Sequence, residues 1–136
     1  MKLKALTATL ALIAAQSVYA QQAPTTCPDV SAFRSTGVSS AYQMQPPLWV
    51  GVEKKNFYGT DNEWTFVVGE FDAQNATDAL AQANAAISTL SYVSGPKQIT
   101  LGVWMCDYED QDQNISGTAI SPALDDITHI GKFLRR

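Results

Sequence analysis

The sequence contains one histidine, two cysteines and few basic residues, and each scarcity excludes a class of function. Zinc is usually held by four ligands, most of them cysteine or histidine, so this set makes a poor zinc site. Nine basic residues stand against 13 acidic residues, for a net charge of −4. Because an acidic surface repels phosphate groups, nucleic acids and anionic lipid surfaces are unfavourable partners.

Long apolar runs are also lacking, apart from one near the N-terminus. Two lysines precede an apolar stretch over residues 5–15, and small residues stand three positions and one position before the 20/21 bond. That stretch is too short to span a bilayer, but the arrangement is typical of a secretory signal peptide. We therefore predict a signal peptide over residues 1–20. The remaining residues 21–136 are expected to form a single soluble domain, without membrane insertion after cleavage.

Cleavage would remove two of the nine basic residues, which leaves 7 basic and 13 acidic residues and a net charge of −6. The two cysteines, Cys27 and Cys106, both remain. An even cysteine count in an exported chain favours a disulfide over the alternatives, a metal pair or a reactive thiol. We therefore predict a disulfide between them and a location in the periplasm or outside the cell.

Helix and strand signals alternate along the predicted domain. Asp29 and Gly37 are typical of the start and end of a short helix, and residues 76–90 carry an apolar stripe at helical spacing. Turn signals occur at residues 59–62 and at Gly95-Pro96. The predicted strands cover residues 38–44, 48–52 with an extension to 58, 64–71, 98–108 and 115–120. The expected fold is α+β: an antiparallel sheet of about four to five strands, one long alanine-rich helix packed on it, and a short N-terminal helix.

Each of the three tryptophans lies in a predicted strand that also contains a glycine. The pairs are Trp49 with Gly51, Trp64 with Gly69, and Trp104 with Gly102. We interpret these rings as core side chains that lie over neighbouring glycines, because aromatics supply much of the burial in a small domain. A flat hydrophobic cleft for a planar ligand is the alternative.

An acidic loop over residues 110–114 places oxygen ligands at alternate positions, as at the start of a calcium-binding loop. Ile115 then stands where such a loop needs glycine, and Ser121 stands where it needs a bidentate glutamate. A solvated hairpin loop is therefore the favoured interpretation, and weak calcium binding is the alternative.

No catalytic arrangement is recognisable, since the chain has no G-x-S-x-G motif and no carboxylate pair that the sequence fixes across a cleft. We therefore predict that the protein is not an enzyme. His129, Tyr42 and Tyr108, together with Met44 and Met105, are side chains that can bind heme iron by their chemistry alone. For the lone histidine, an ordinary surface position is the alternative.

The order of motifs along the chain is that of a known family. The motifs are Cys27-Pro28-Asp29-Val30, Gly37-Val38, Ala41-Tyr42 and Cys106-Asp107-Tyr108, with a tryptophan-rich middle and an alanine-rich helix between them. With the signal peptide, this layout resembles the small exported hemin-binding proteins of Legionella-type bacteria over most of the predicted domain. The resemblance implies heme capture in the periplasm or outside the cell. It assigns no axial ligand, so Tyr42, Tyr108 and His129 are cofactor-binding candidates by chemistry only.

Two classes of binding function follow. The first is an exported module that holds heme or another small, planar hydrophobic ligand. The second is a secreted protein-interaction module, such as a hydrolase inhibitor without catalytic activity, for which a basic partner would suit the acidic surface.

Overall fold

The computed structural model describes residues 22–112 and 114–133, so the predicted signal peptide over residues 1–20 lies outside the described residues. Within them, two α-helices, six strands and one 3-10 helix follow one another. Their bounds are α1 Val30–Thr36, β1 Ser40–Gln45, β2 Leu48–Asn56, β3 Trp64–Asp72, α2 Ala76–Ile87, β4 Ser91–Thr100, β5 Val103–Glu109, β6 Ser116–Ser121 and the 3-10 helix Ile127–Phe133.

The six strands form one antiparallel sheet in the order β1-β2-β3-β6-β5-β4. Each half of the sheet is a three-stranded meander that follows a helix, and the halves meet where β3 pairs with β6. Strands β1 and β4 are therefore the two edges. The α+β class is supported, whereas the prediction of four to five strands is wrong because the sheet has six.

The additional strand arises within residues 98–108, which the sequence led us to predict as one strand. A two-residue turn at Leu101 and Gly102 divides this run, so that Thr100 pairs with Val103 across a tight hairpin. Gly102 has a φ of +75°, a left-handed conformation that glycine adopts without steric cost. The prediction failed because apolar side chains continue to alternate on both sides of the turn.

Strand β4 also begins before Gly95-Pro96, which we predicted as a turn, and passes through this dipeptide. Proline cannot donate to a strand ladder, but an edge strand with irregular pairing accommodates it. The register of β4 against β5 shifts between Ser94 and Lys97, on either side of the proline. Gly95-Pro96 therefore produces a bulge within β4 instead of ending the strand.

Helix α1 has the predicted boundaries. The Ser31 N–H donates a 2.9 Å hydrogen bond to Asp29 Oδ1, which caps the start of the helix. At the other end Gly37 has a φ of +69° and its N–H donates to the Phe33 carbonyl at 2.7 Å. The capped turns direct Phe33, which is fully buried, towards the sheet.

Helix α2 begins at the predicted residue but ends at Ile87 rather than at Leu90. Its start is capped by Asn75, whose side-chain oxygen accepts a 2.9 Å hydrogen bond from a first-turn amide. The helix packs closely over β2, since a Cβ atom added at Gly51 would lie 2.5 Å from the Ala83 Cβ. The small residues at these two positions therefore set how closely the helix approaches the sheet.

Side chains are buried on both faces of the sheet, because successive residues of a strand point in opposite directions. The helical face, under α1 and α2, carries the larger cluster. Its largest members are Phe33, Tyr58, Trp64, Phe66, Phe71, Ile87, Leu90 and Tyr108. The second face carries a smaller cluster, with Val50, Val52 and Val67 against Ile130 of the 3-10 helix.

Candidate functional site

The predicted disulfide is confirmed. Cys27 and Cys106 are bonded with an S–S distance of 2.04 Å and a Cα–Cα distance of 5.9 Å, and the two residues are 79 positions apart in sequence. The bond ties the segment before α1 to β5 on the helical face. Such a bond is typical of oxidising compartments outside the cytosol. Among residues 22–112 and 114–133, no helix is long and apolar enough to cross a membrane.

Tyr108 is a structural residue of the helical face. Its side chain is fully buried, and its hydroxyl donates a 2.6 Å hydrogen bond to the Pro28 carbonyl. Burial, reinforced by the nearby Tyr92 and Asp29, raises the pKa of this phenol well above its ordinary value. The hydroxyl is therefore neutral and engaged in holding the N-terminal segment.

We expect Tyr108→Phe to lower the free energy of unfolding by about 1–3 kcal/mol, because it leaves the buried Pro28 carbonyl without its donor. Urea unfolding measures this loss, and Tyr42→Phe is the control, with an expected change within about 0.5 kcal/mol. Because the native state keeps a phenol proton that the unfolded chain releases, wild-type stability should also fall above pH 10. Equal stability of the two variants would contradict the structural role.

The structure does not bring the three cofactor-binding candidates together. Tyr42 lies on edge strand β1 with 38% of its surface exposed, and it pairs with Val50 of the second face. Tyr108 lies on β5 and belongs to the helical face. The backbone of His129 is part of the 3-10 helix, but its side chain lies outside the described residues. Hemin binding by any of them stays a prediction.

The tryptophans behave mainly as core and anchoring side chains. Trp64 is fully buried, and its indole N–H donates a 2.8 Å hydrogen bond to Thr60 Oγ1. The half-buried Trp49 donates to the Ala73 carbonyl at 3.1 Å. Gly51 approaches α2 instead of a tryptophan ring, and Gly102 faces open space, so the interpretation of rings over these two glycines is wrong.

The acidic loop uses its first carboxylate to close the hairpin between β5 and β6. Asp110 Oδ1 accepts hydrogen bonds from the backbone N–H groups of Asn114, at 2.9 Å, and Ile115, at 3.1 Å. Gln113 lies outside the described residues. In the part of the chain that is described, no group of three or more histidine, cysteine or acidic side chains could hold a metal ion. Calcium binding by this loop stays a prediction.

A surface groove of about 480 Å³ lies between the N-terminal segment and β4, beside the disulfide. Residues 25–30 form one wall, and Tyr92 and Gly95-Pro96 of β4 form the other. The Tyr92 ring is held in place, since its hydroxyl donates a 2.6 Å hydrogen bond to the Gly95 carbonyl. The ring also makes a T-shaped contact with Tyr108 at a centroid distance of 6.1 Å, and about half of Tyr92 stays exposed.

Asp29 is the one acidic residue among those that line the groove. The pKa of its carboxyl lies below its usual range, chiefly because the Ser31 amide donates to it and also because Arg34 lies nearby. The groove therefore presents a permanent negative charge close to a fixed aromatic ring at neutral pH.

The outer side of β4, here called the β4 edge, has no further strand beyond it in the described residues. Tyr92, Val93 and Ile99 are exposed along this strand, and the following Leu101 is 92% exposed at the hairpin turn. The one charged side chain of β4 is Lys97, and its ammonium lies 3.0 Å from the Asp107 carboxylate of β5. The edge thus exposes apolar side chains among uncharged polar ones, and its one charge is paired with Asp107.

Sequence reasoning missed both the groove and the β4 edge. The groove joins residues around 27 to residues around 95, and no local pattern reports a contact over such a separation. The edge could have been found from Gly102, since a glycine between two alternating apolar runs is a signal for a tight hairpin.

Comparison with known proteins places the chain in a family without supplying an activity. A family model described as a domain of unknown function, DUF4949, matches residues 26–131, which is well over half of the chain. No curated protein and no solved structure matches it. The matched segment includes both cysteines, both α-helices and all six strands of the described residues. The chain therefore belongs to the DUF4949 family, a domain of unknown function.

Proposed function

We propose that this protein is an exported binding module without catalytic activity, which holds an extended segment of a protein partner along the β4 edge. One observation carries the proposal. β4 is a ten-residue terminal strand whose outer side is unpaired within the described residues and whose Tyr92, Val93 and Ile99 are exposed. An extended segment can add to such an edge as a further strand, with main-chain hydrogen bonds for affinity and side-chain contacts for specificity.

The two edges of the sheet differ in how well they are protected from other chains. Edge strands are usually kept from pairing by short length, proline or exposed lysine. β1 is only six residues long, carries glutamines and is followed by Pro46-Pro47. β4 carries one proline within its ten residues, so its uninterrupted stretches are no longer than β1, but residues 91–94 have no charge and expose both Tyr92 and Val93. Lys97 is engaged by Asp107 of the neighbouring strand. The exposed apolar pair therefore makes the β4 edge the better template for a partner strand.

The pairing of β4 with β5 shifts register between Tyr92 and Ser94, between Ser94 and Lys97 and between Gln98 and Thr100. The second shift, at Gly95-Pro96, divides the β4 edge into two arms, residues 91–94 and residues 97–100. A partner segment can pair with one arm at a time, because proline has no N–H and a bulge changes the direction of the edge. The N-terminal arm, residues 91–94, borders the groove that Tyr92 lines. We therefore place the partner segment on this arm, where a pocket is available for its side chains.

Export is part of the proposal. It is supported by the Cys27–Cys106 disulfide and by the signal-peptide pattern of residues 1–20, and it assigns the protein to the periplasm or the extracellular space. Hemin binding, which the family resemblance implies, stays a prediction, with Tyr42 as the tyrosine candidate whose ring is exposed.

Hexapeptides selected from a random phage-displayed library on the oxidised protein test the proposal. Selected peptides should slow amide hydrogen exchange in β4, because main-chain pairing covers the free edge. We expect Val93→Lys to weaken their binding at least about tenfold, since it adds a charge to the N-terminal arm where the partner strand would lie. Isothermal titration of a synthetic copy of each peptide measures the change.

The matched control is Gln43→Lys, which adds the same charge to an exposed position of the opposite edge strand. It should leave the peptide affinity unchanged. Equal effects of the two lysines, protection confined to strands other than β4, or a selection that yields no peptide protecting β4 would overturn the proposed function.

A further inference from the structure

The groove beside the N-terminal arm has an apolar lining with one aromatic ring, and pairing of a partner strand with β4 does not by itself fill it. Its walls are largely apolar, with Cys27, Pro28 and Val30 on one side and Pro96 on the other. Tyr92 supplies an aromatic surface whose hydroxyl is already satisfied by Gly95. A concave apolar site with few polar groups is the usual form of a specificity pocket.

We propose that this groove is a subsite for one lysine or arginine side chain of the partner segment, an inference that rests on the proposed function. Tyr92 pairs with Tyr108, so its ring lies on the helical face of β4. A strand added beside residues 91–94 directs every second side chain to that same face. Cross-strand neighbours have Cβ atoms about 5 Å apart, so one of these side chains reaches the groove.

The lining residues match a cationic side chain in three respects. The exposed ring of Tyr92 can bind a guanidinium or ammonium group through its π-face. The exposed, ionised Asp29 carboxylate lines the same groove and offers a charge-assisted hydrogen bond. The aliphatic stem of lysine or arginine can lie along the partly exposed Val30 and Pro96, as long cationic side chains do on apolar surfaces.

The surroundings of the groove add to the negative potential. Glu109 stands opposite Ser91 in the β4–β5 ladder, and Asp110 follows it at the start of the acidic loop. The nearby cation is Arg34, which helps to lower the pKa of Asp29. Its guanidinium is already engaged, since one of its nitrogens donates to the Leu90 carbonyl at 3.3 Å. The whole chain has more acidic than basic residues, so charge complementarity favours a basic partner segment.

The test uses peptides from the selection described above. We expect them to be enriched in arginine or lysine, and we expect replacement of that residue by citrulline, which has nearly the same shape without the charge, to weaken binding about tenfold. Asp29→Asn should remove most of the difference between the arginine and citrulline peptides. Asparagine can cap α1 as aspartate does, so the variant should keep its fold.

The matched control is Asp61→Asn, which removes an exposed carboxylate from the turn between β2 and β3 and should preserve the tenfold difference. Raising the salt concentration should weaken the arginine peptide more than the citrulline peptide.

The possible failures can be told apart. If both peptides bind equally while β4 amides stay protected, the cationic subsite is wrong and the proposed function stands. If no peptide protects β4, the proposed function itself is overturned. If argininamide alone binds as tightly as the arginine peptide, the groove is a site for small cations, and its assignment to a protein segment is wrong.

Discussion

Replacing Phe33 by alanine is expected to lower the free energy of unfolding by about 3–5 kcal/mol, one of the two largest effects that the structure predicts. Phe33 is fully buried and stacks on Phe66 with ring centroids 3.9 Å apart. It also makes edge contacts with Tyr58 at 4.8 Å and Tyr108 at 4.9 Å. Truncation therefore removes the centre of an aromatic cluster and leaves a cavity that rigid neighbouring rings cannot fill.

Urea unfolding followed by tryptophan fluorescence measures this effect, and the chain offers a matched control. Phe57 is the same residue type with 52% of its surface exposed, so Phe57→Ala should change stability by no more than about 0.5 kcal/mol. Similar losses for the two variants would show that Phe33 does not anchor α1 to the sheet. A loss in the expected range would establish that Phe33 anchors this short helix to the sheet.

Removal of the disulfide is expected to cost about 4 kcal/mol, the second large effect. The bond closes a loop between residues 79 positions apart, and in the chain-entropy model a loop of about this length restricts the unfolded state by that amount. The Cys27→Ala, Cys106→Ala double variant is preferred, because Cys106 is fully buried and serine there would bury a hydroxyl. Urea unfolding of the double variant and the oxidised wild type gives the difference.

Reduction of the wild type provides an independent measurement of the same effect. Its unfolding midpoint should fall towards that of the double variant, whereas the double variant should not respond to reductant. A wild type with the same midpoint before and after complete reduction would contradict the expected stabilisation. We also expect the disulfide-free protein to lose peptide binding at the groove, because Cys27 and the adjoining Pro28 form one of its walls.

The elements that were predicted correctly have local causes. At the start of α1, the Asp29 side chain accepts from the Ser31 amide, two residues later. At the start of α2, the Asn75 side chain accepts from the Asp78 amide, three residues later. The β2–β3 hairpin follows from the turn signals at residues 59–62. In each case the interacting groups are close in sequence, so the pattern of residue types already contains the contact.

The errors in the strand count have a different origin. Gly95-Pro96 reads as a turn, and it becomes a bulge only because β4 is at the edge of the sheet, where one side of the strand needs no partner. The hairpin at Leu101 and Gly102 was hidden because the alternation of side chains continues on both sides of it. The position of β4 in the sheet decided both the bulge and the hairpin, and a short stretch of sequence does not reveal that position.

The candidate site depends still more strongly on long-range packing. Tyr42, Tyr92 and Tyr108 are equivalent as residue types, but their surroundings give them different roles. Tyr108 lies in the core and bonds to Pro28, Tyr92 forms an exposed groove wall, and Tyr42 lies on the opposite edge strand. Chemistry alone could name these side chains as candidates, but only burial and hydrogen bonding distinguish them.

The sequence by itself determined the capped starts of the helices, the α+β class and the pairing of the two cysteines, because these depend on short-range patterns or on a count of two. The tertiary structure decided the six-strand order, the identity of the edges and the groove between residues 25–30 and β4. The physical reason is that contacts between segments far apart in the chain decide which strand lies at the edge of the sheet. The same contacts decide whether a tyrosine lines a groove or lies in the core.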